Sequence, residues 1–188
     1  MNYKNLFKLF VILTIIVVGM GCASAGLFGG GDAIKGSGEY KVGTDLPAGE
    51  YYVKCDGYNL YIEVASDSSG NLDSIIYNLN TESGAYITVE DGEYLTVSGG
   101  DIYELDKMPK IEPENGYYKD GMYKIGTDLP AGEYQVESSK DLAYIEVASD
   151  SRHEIESIIT NDNFESNTYV TVEDGQYLTL SNGAQIKA

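Results

Sequence analysis

An all-β fold made of two tandem homologous small modules is what this sequence predicts, and three observations predict it. Sliding Gly38 to Leu105 along by 83 positions lays it on Gly121 to Ala188 without a gap, with 39 of the 68 aligned positions identical. Inside each copy, short β-branched and aromatic stretches alternate apolar with polar residues and are separated by Gly, Pro, Asp and Asn, the marks of strands and turns. Beyond the N-terminal segment no stretch sustains a 3.6-residue apolar period. The expected organisation is a signal segment (1–22), a tether (23–37), a β module (38–105), a linker (106–120) and a second β module (121–188). Each module is expected to be a small sandwich or a partly open barrel.

The signal segment comes first. Lys4 and Lys8 precede the apolar run from Leu9 to Gly21, a length suited to a signal-peptide core and shorter than the ~20 residues that span a bilayer. Cys22 follows in "GMGC", which is similar to the lipobox at which prokaryotic lipoproteins receive a diacylglyceryl thioether. Gly21 supplies the small residue beside the Cys, while Gly19 departs from the Leu usual three residues before it. The expected localisation is the extracytoplasmic face of the cell membrane, with Cys22 lipidated and the membrane contacted through that anchor. A single uncleaved N-terminal helix is the alternative. The stretch "AGLFGGGDAIKGSG" that follows is Gly-rich without apolar period, the composition of a flexible tether.

Each module opens on the same phrase, "KVGTDLPAGEYYV" from Lys41 and "KIGTDLPAGEYQV" from Lys124. Its Pro-Ala-Gly reads as a turn: proline fixes its own φ, and Gly49 can take a conformation other residues resist. A hairpin is expected there, and another across "LYIEVASDSSGNLDSIIYN". A third is expected in "AYITVEDGEYLTV", with Glu90, Asp91 and Gly92 as a three-residue loop and Val89 opposite Glu93. That register puts Ala85, Ile87, Val89, Leu95 and Val97 on one apolar face, and Glu93→Ala is expected to do little. The second copy repeats the pattern with Val170, Val172, Leu178 and Leu180 around Gly175. In the linker, Pro109 and Pro113 among charges favour an extended, semi-stiff connector.

Charge and cysteine narrow the function. Removal of residues 1–22 leaves 10 basic and 30 acidic side chains, a formal charge of −20. Such a surface has no basic stripe to release counterions from phosphates, which excludes nucleic acid as a partner. With Cys22 lipidated, Cys55 stands alone opposite Ser138 in the alignment, so no disulfide framework is available and Cys55 is expected to be a small, half-buried strand residue. The only histidine, His153, aligns with Gly70, which rules out a His-based triad or multi-His metal site common to both copies. With no nucleophile elbow, zinc spacing or phosphate loop either, the chain reads as a non-enzyme without cofactor.

Taken together, "VGTDLPAGEY … DGEYLTV" and "IGTDLPAGEY … DGQYLTL" resemble poorly characterised repeat modules of lipoproteins and secreted proteins from Gram-positive bacteria and some archaea, where the turn usually reads Asp-Ile-Pro-Ala-Gly. The resemblance runs nearly end to end through both copies. It implies an extracytoplasmic, often lipid-anchored β module, and no established activity.

Two features are candidate sites. Asp67, Ser69, Asn71 and Asp73 present oxygens at alternate positions of a Gly-containing turn, a weak calcium pattern that becomes Asp150, Arg152, Glu154 and Glu156 in the second copy. In the expected register, Tyr86 and Tyr94, and likewise Tyr169 and Tyr177, lie opposite the apolar face and form a candidate ligand platform for sugars or protein. The leading expectation is therefore a cell-surface binding or adhesion protein whose partner is a cell-wall polysaccharide or surface protein. The alternative is a purely structural envelope component; an exposed cluster of the repeated tyrosines favours binding, and their complete burial favours the structural reading.

Overall fold

The computed structural model describes residues 33–188, so Cys22 and the signal segment lie outside it. The first half contributes β1 (Gly38–Lys41), β2 (Gly49–Cys55), β3 (Leu60–Ala65), β4 (Ile75–Thr81), β5 (Gly84–Val89), β6 (Tyr94–Ser98) and β7 (Gly100–Glu104). The second contributes β8 (Tyr117–Tyr118), β9 (Gly121–Lys124), β10 (Gly132–Ser138), β11 (Ala143–Ala148), β12 (Ile158–Phe164), β13 (Asn167–Val172), β14 (Tyr177–Ser181) and β15 (Ala184–Lys187). They form four antiparallel sheets, ordered β1-β6-β3-β4, β5-β2-β7, β12-β11-β14-β9 and β13-β10-β15-β8. None closes into a barrel, and the architecture is sandwich-like. No ladder among the described residues joins a strand of 38–104 to one of 117–187.

Pairing repeats with the sequence offset. Gly38 faces Val97 as Gly121 faces Leu180, and Glu50 faces Thr88 as Glu133 faces Thr171. The register even slips at the same place, between Val64 and Ala65 and between Val147 and Ala148.

The connections differ from the expected hairpins. Only β3–β4 in the first half, and β11–β12 in the second, turn back within one sheet as predicted. β5 and β6 lie in opposite sheets: β5 pairs with β2, and β6 with β1 and β3. The Glu90-Asp91-Gly92 loop is an arch, braced from outside the segment by the Gly92 N–H donating to the Val42 carbonyl at 3.1 Å. The opening phrase is also an arch, from β1 in one sheet to β2 in the other. Its backbone folds on itself, with the Gly43 N–H on the Leu46 carbonyl (2.8 Å) and the Lys41 N–H on Asp45 Oδ2 (2.8 Å).

The apolar alternation survives because an arch also sends alternate residues inward. Ala85, Ile87 and Val89 from one sheet meet Leu95 and Val97 from the other, all essentially inaccessible. Val170, Val172, Leu178 and Leu180 do the same in the second half.

Several recurring tyrosines brace the arches and the strands. The Tyr51 and Tyr134 hydroxyls donate to the Pro47 and Pro130 carbonyls (2.7 and 2.6 Å), and Tyr40 and Tyr123 reach the carbonyls of Gly36 and Lys119 (both 2.6 Å). In each case the polar tip of the ring is satisfied four residues upstream.

Two boundaries also shift. Ile34 and Lys35, expected in the flexible tether, exchange hydrogen bonds with Ile102 (2.9 and 2.8 Å), extending the β7 edge as β8 extends β15. The gapless alignment breaks at one turn. β6 reaches β7 through Gly99 (φ 77°), whereas β14 reaches β15 through Asn182 and Gly183 (φ 56° and 87°), one residue longer. Gly100 and Ala184 then hold equivalent places opposite Cys55 and Ser138, and Ile102 and Ile186 both enter the core. Gly99 has no alternative, since a Cβ there would meet the Asn59 carbonyl oxygen at 2.2 Å.

Candidate functional site at the junction of the two halves

A cluster of polar and aromatic side chains lies where the outer face of the β5-β2-β7 sheet meets β9, β14 and the β11–β12 tip. Alternation on β2 and β5 turns Tyr51, Val53 and Ile87 inward and Glu50, Tyr52, Tyr86 and Thr88 outward, toward the second half. From the other side come Met122 and Lys124 on β9, Asp128 in the arch, Tyr177 on β14 and Ser151, Arg152 and His153 at the tip.

Glu50 is the hub. It accepts Lys124 Nζ at 2.6 Å, Ser151 Oγ at 2.9 Å and a very short bond from the Tyr177 hydroxyl. Tyr86 packs edge-on against Tyr52 and Tyr177, with ring centroids 5.0 and 5.7 Å apart, and its hydroxyl donates to Asp128 Oδ2 at 2.7 Å. Burial, then the Asp128 carboxylate, pushes the Tyr86 phenol well above its ordinary range, and burial raises the Asp128 carboxyl.

A second cluster flanks the first. Arg152 makes a two-pronged ion pair with Glu93, both contacts 2.9 Å, and also reaches the Thr88 carbonyl at 3.2 Å. The two side chains are only 16% and 10% exposed, so Glu93 is a buried ion-pair partner rather than the energetically minor position expected of it. His153 Nε2 donates to the Tyr86 carbonyl at 2.8 Å beside the Tyr77 ring, and burial lowers its pKa. One backbone bond crosses too, from the Thr88 N–H to the Ser151 carbonyl at 2.9 Å.

This geometry separates the four candidate platform tyrosines. Tyr86 and Tyr177 are 1% and 6% exposed and touch each other inside the junction, whereas Tyr169 is 64% exposed and Tyr94 half-buried at the two far faces. Within each half the two tyrosines share no surface, because β5 and β6, and likewise β13 and β14, belong to different sheets. The candidate calcium residues are engaged with one another: Asp67 Oδ1 accepts the Ser69 N–H (2.8 Å), and Asn71 Nδ2 donates to Ser69 Oγ (2.9 Å). No group of three or more His, Cys, Asp or Glu among the described residues is placed to hold a metal. Cys55 is half-buried and, among the described residues, unpaired.

Sequence reasoning missed Glu50, Glu93, Arg152 and His153 as one constellation. The signal lay in the differences between copies. Tyr52, Tyr77 and Glu93 become Gln135, Thr160 and Gln176, and Met122, Arg152 and His153 replace Glu39, Ser69 and Gly70. Each set lies on one side of the junction.

Beside the junction, beneath the connector 106–120, opens a cleft of about 700 Å³ lined by residues including Tyr52, Lys54, Glu112, Tyr117, Asp120 and Lys140. Met108 and Ile111 of the connector pack against the first half's core, so the connector is docked along part of its length. Comparison with family models, with curated proteins and with solved structures finds no match to this chain.

Proposed function

We propose that this chain is a non-catalytic extracytoplasmic surface protein, tethered at its N-terminus through Cys22, whose paired β units serve as a rigid structural spacer. The observation that carries the proposal is the burial of Tyr86 and Tyr177 against each other: one copy of each repeated tyrosine docks the halves, and the copies left over, Tyr169 and Tyr94, lie on different halves. A net charge of −18 over the whole chain suits a component that must stay soluble at a crowded surface. The lysines before the apolar run and the small residue beside Cys22 support export and lipid attachment.

Mass spectrometry of the mature N-terminus tests the anchoring. A diacylated Cys22 is the expected species, and an intact Met1 on unlipidated membrane protein would replace it with a helix anchor. The spacer reading is tested by exposing the full chain to cell-wall polysaccharides and surface proteins, and it expects no saturable binding. A second reading, binding or adhesion, is favoured by the cleft, where tyrosines and lysines stand beside carboxylates. Saturable binding lost on Lys54→Ala or Lys140→Ala would establish that reading instead.

A further inference from the structure

The contact between the halves is heterologous: the outer face of β5 and β2 on one half meets the β9, β14 and arch face of the other. Such a contact leaves one face of each type unused. Among the described residues, the unused faces are β13 with β10 on the second half and β1 with β6 and its arch on the first. β1 and β13 are both edge strands of their sheets, as β9 and β5 are.

The unused faces keep the residues of the junction hub. On the first half, Lys41, Asp45 and Tyr94 stand for Lys124, Asp128 and Tyr177. They are already arranged alike: the Lys41 N–H is 2.8 Å from Asp45 Oδ2 as Lys124's is 2.7 Å from Asp128 Oδ2, and the two ammonium groups lie 5.8 and 5.2 Å from the Tyr94 and Tyr177 ring centroids. On the second half, Glu133, Tyr169 and Thr171 stand for Glu50, Tyr86 and Thr88. Glu133 faces Thr171 across the ladder as Glu50 faces Thr88, and all three are exposed. Lys41 would meet Glu133, and Asp45 the Tyr169 hydroxyl, with charge and donor-acceptor sense preserved.

We infer that this protein binds a second copy of itself head to tail, the Glu133/Tyr169/Thr171 face of one chain docking on the Lys41/Asp45/Tyr94 face of the next. The contact repeats the hub and omits the flanking anchors, because Ser69, Gly70 and Gln176 stand where the junction has Arg152, His153 and Glu93. It is therefore weaker than the internal junction and reversible. Since neither face pairs with itself, each added copy exposes a fresh face, and the product is a chain or a ring.

The test uses the full chain in detergent with the photoreactive substitution Tyr169→benzoylphenylalanine. The expected product is a cross-linked dimer whose adduct maps to residues 38–46 or 94–96 of the second copy. Lys41→Glu or Glu133→Lys should each lower the yield at least about fivefold by placing like charges together, and the double variant should restore it. Both residues are exposed and remote from the junction, and unchanged thermal unfolding of each variant confirms that the internal contact is intact. Absence of a dimer overturns the inference. So does a dimer insensitive to both charge reversals, which would point to association through the N-terminal segment.

Discussion

Tyr86 and Tyr169 occupy the same place in the two halves, on strands with the same register, yet one is sealed in a junction and the other stands in water. The same inversion holds for Tyr177, which is buried, and Tyr94, which is half-buried. Strand, alternation and face are therefore decided inside each copy, whereas exposure is decided by which copy sits beside which face. Residues that serve the internal fold behave alike in both halves: Tyr51 and Tyr134 both bond the proline carbonyl four residues back. Residues that serve the junction differ, as Arg152 does from Ser69 and Glu93 from Gln176.

The strongest way to test the shared part is through the core. Leu95→Ala and Leu178→Ala remove equivalent side chains with no exposure, and each should cost about 2–5 kcal/mol measured by urea unfolding. A large difference between the two would mean that the copies do not carry equivalent cores. The next effect strikes the junction. Arg152→Ser gives the second half the first half's residue and leaves the Glu93 carboxylate buried without its guanidinium, for a loss of about 3 kcal/mol. It should also split one cooperative transition into two. Adding Glu93→Gln, the second half's own residue, should recover much of the loss because the unpaired charge disappears.

A smaller contrast isolates the tyrosines. Tyr86→Phe strips Asp128 of its hydroxyl donor and should cost about 1–2 kcal/mol, whereas Tyr169→Phe, with its hydroxyl in water, should stay within about 0.5 kcal/mol. Similar costs at both would erase the distinction drawn above.

The smallest effect depends on pH. Burial lowers the folded pKa of His153 below its ordinary 6.5, so its neutral form contributes fully above that pH. As the pH falls through 6.5 the unfolded chain takes the proton first, and stability is lost until the folded value is reached. Asp128 works in the opposite sense, its raised carboxyl being relieved by acid. Comparing wild type with His153→Asn between pH 7 and 5 cancels the Asp128 part. Wild type should show the larger fall in Tm, and equal slopes would remove His153 from the account.

Period-2 alternation made the strands and their inward residues legible, down to Leu95 and Leu178. Alternation is blind to which strand lies alongside. A hairpin and an arch present the same apolar residues to a core, so "VEDGEY" read as a hairpin loop although β5 and β6 lie in opposite sheets. Offset arithmetic was equally blind to the extra residue at Asn182-Gly183, because Gly100 and Gly183 coincide by identity while Gly100 and Ala184 coincide by register. Glu93 and Arg152 could not be paired from one copy's pattern, since they meet only through the docking of one half on the other.

The arches also govern how the chain finds its structure. Each strand's ladder partners lie mostly far along the chain, so assembly waits on long loop closures and should proceed in milliseconds to seconds rather than microseconds. During that wait the copies compete. β1 and β9 share the pattern Gly-X-Tyr-Lys, and β6 and β14 share Tyr-Leu-Thr-X-Ser, so β1 can add to β14 in the register that belongs to β9. Strand exchange between neighbouring copies is thus the misfolding route written into this duplication.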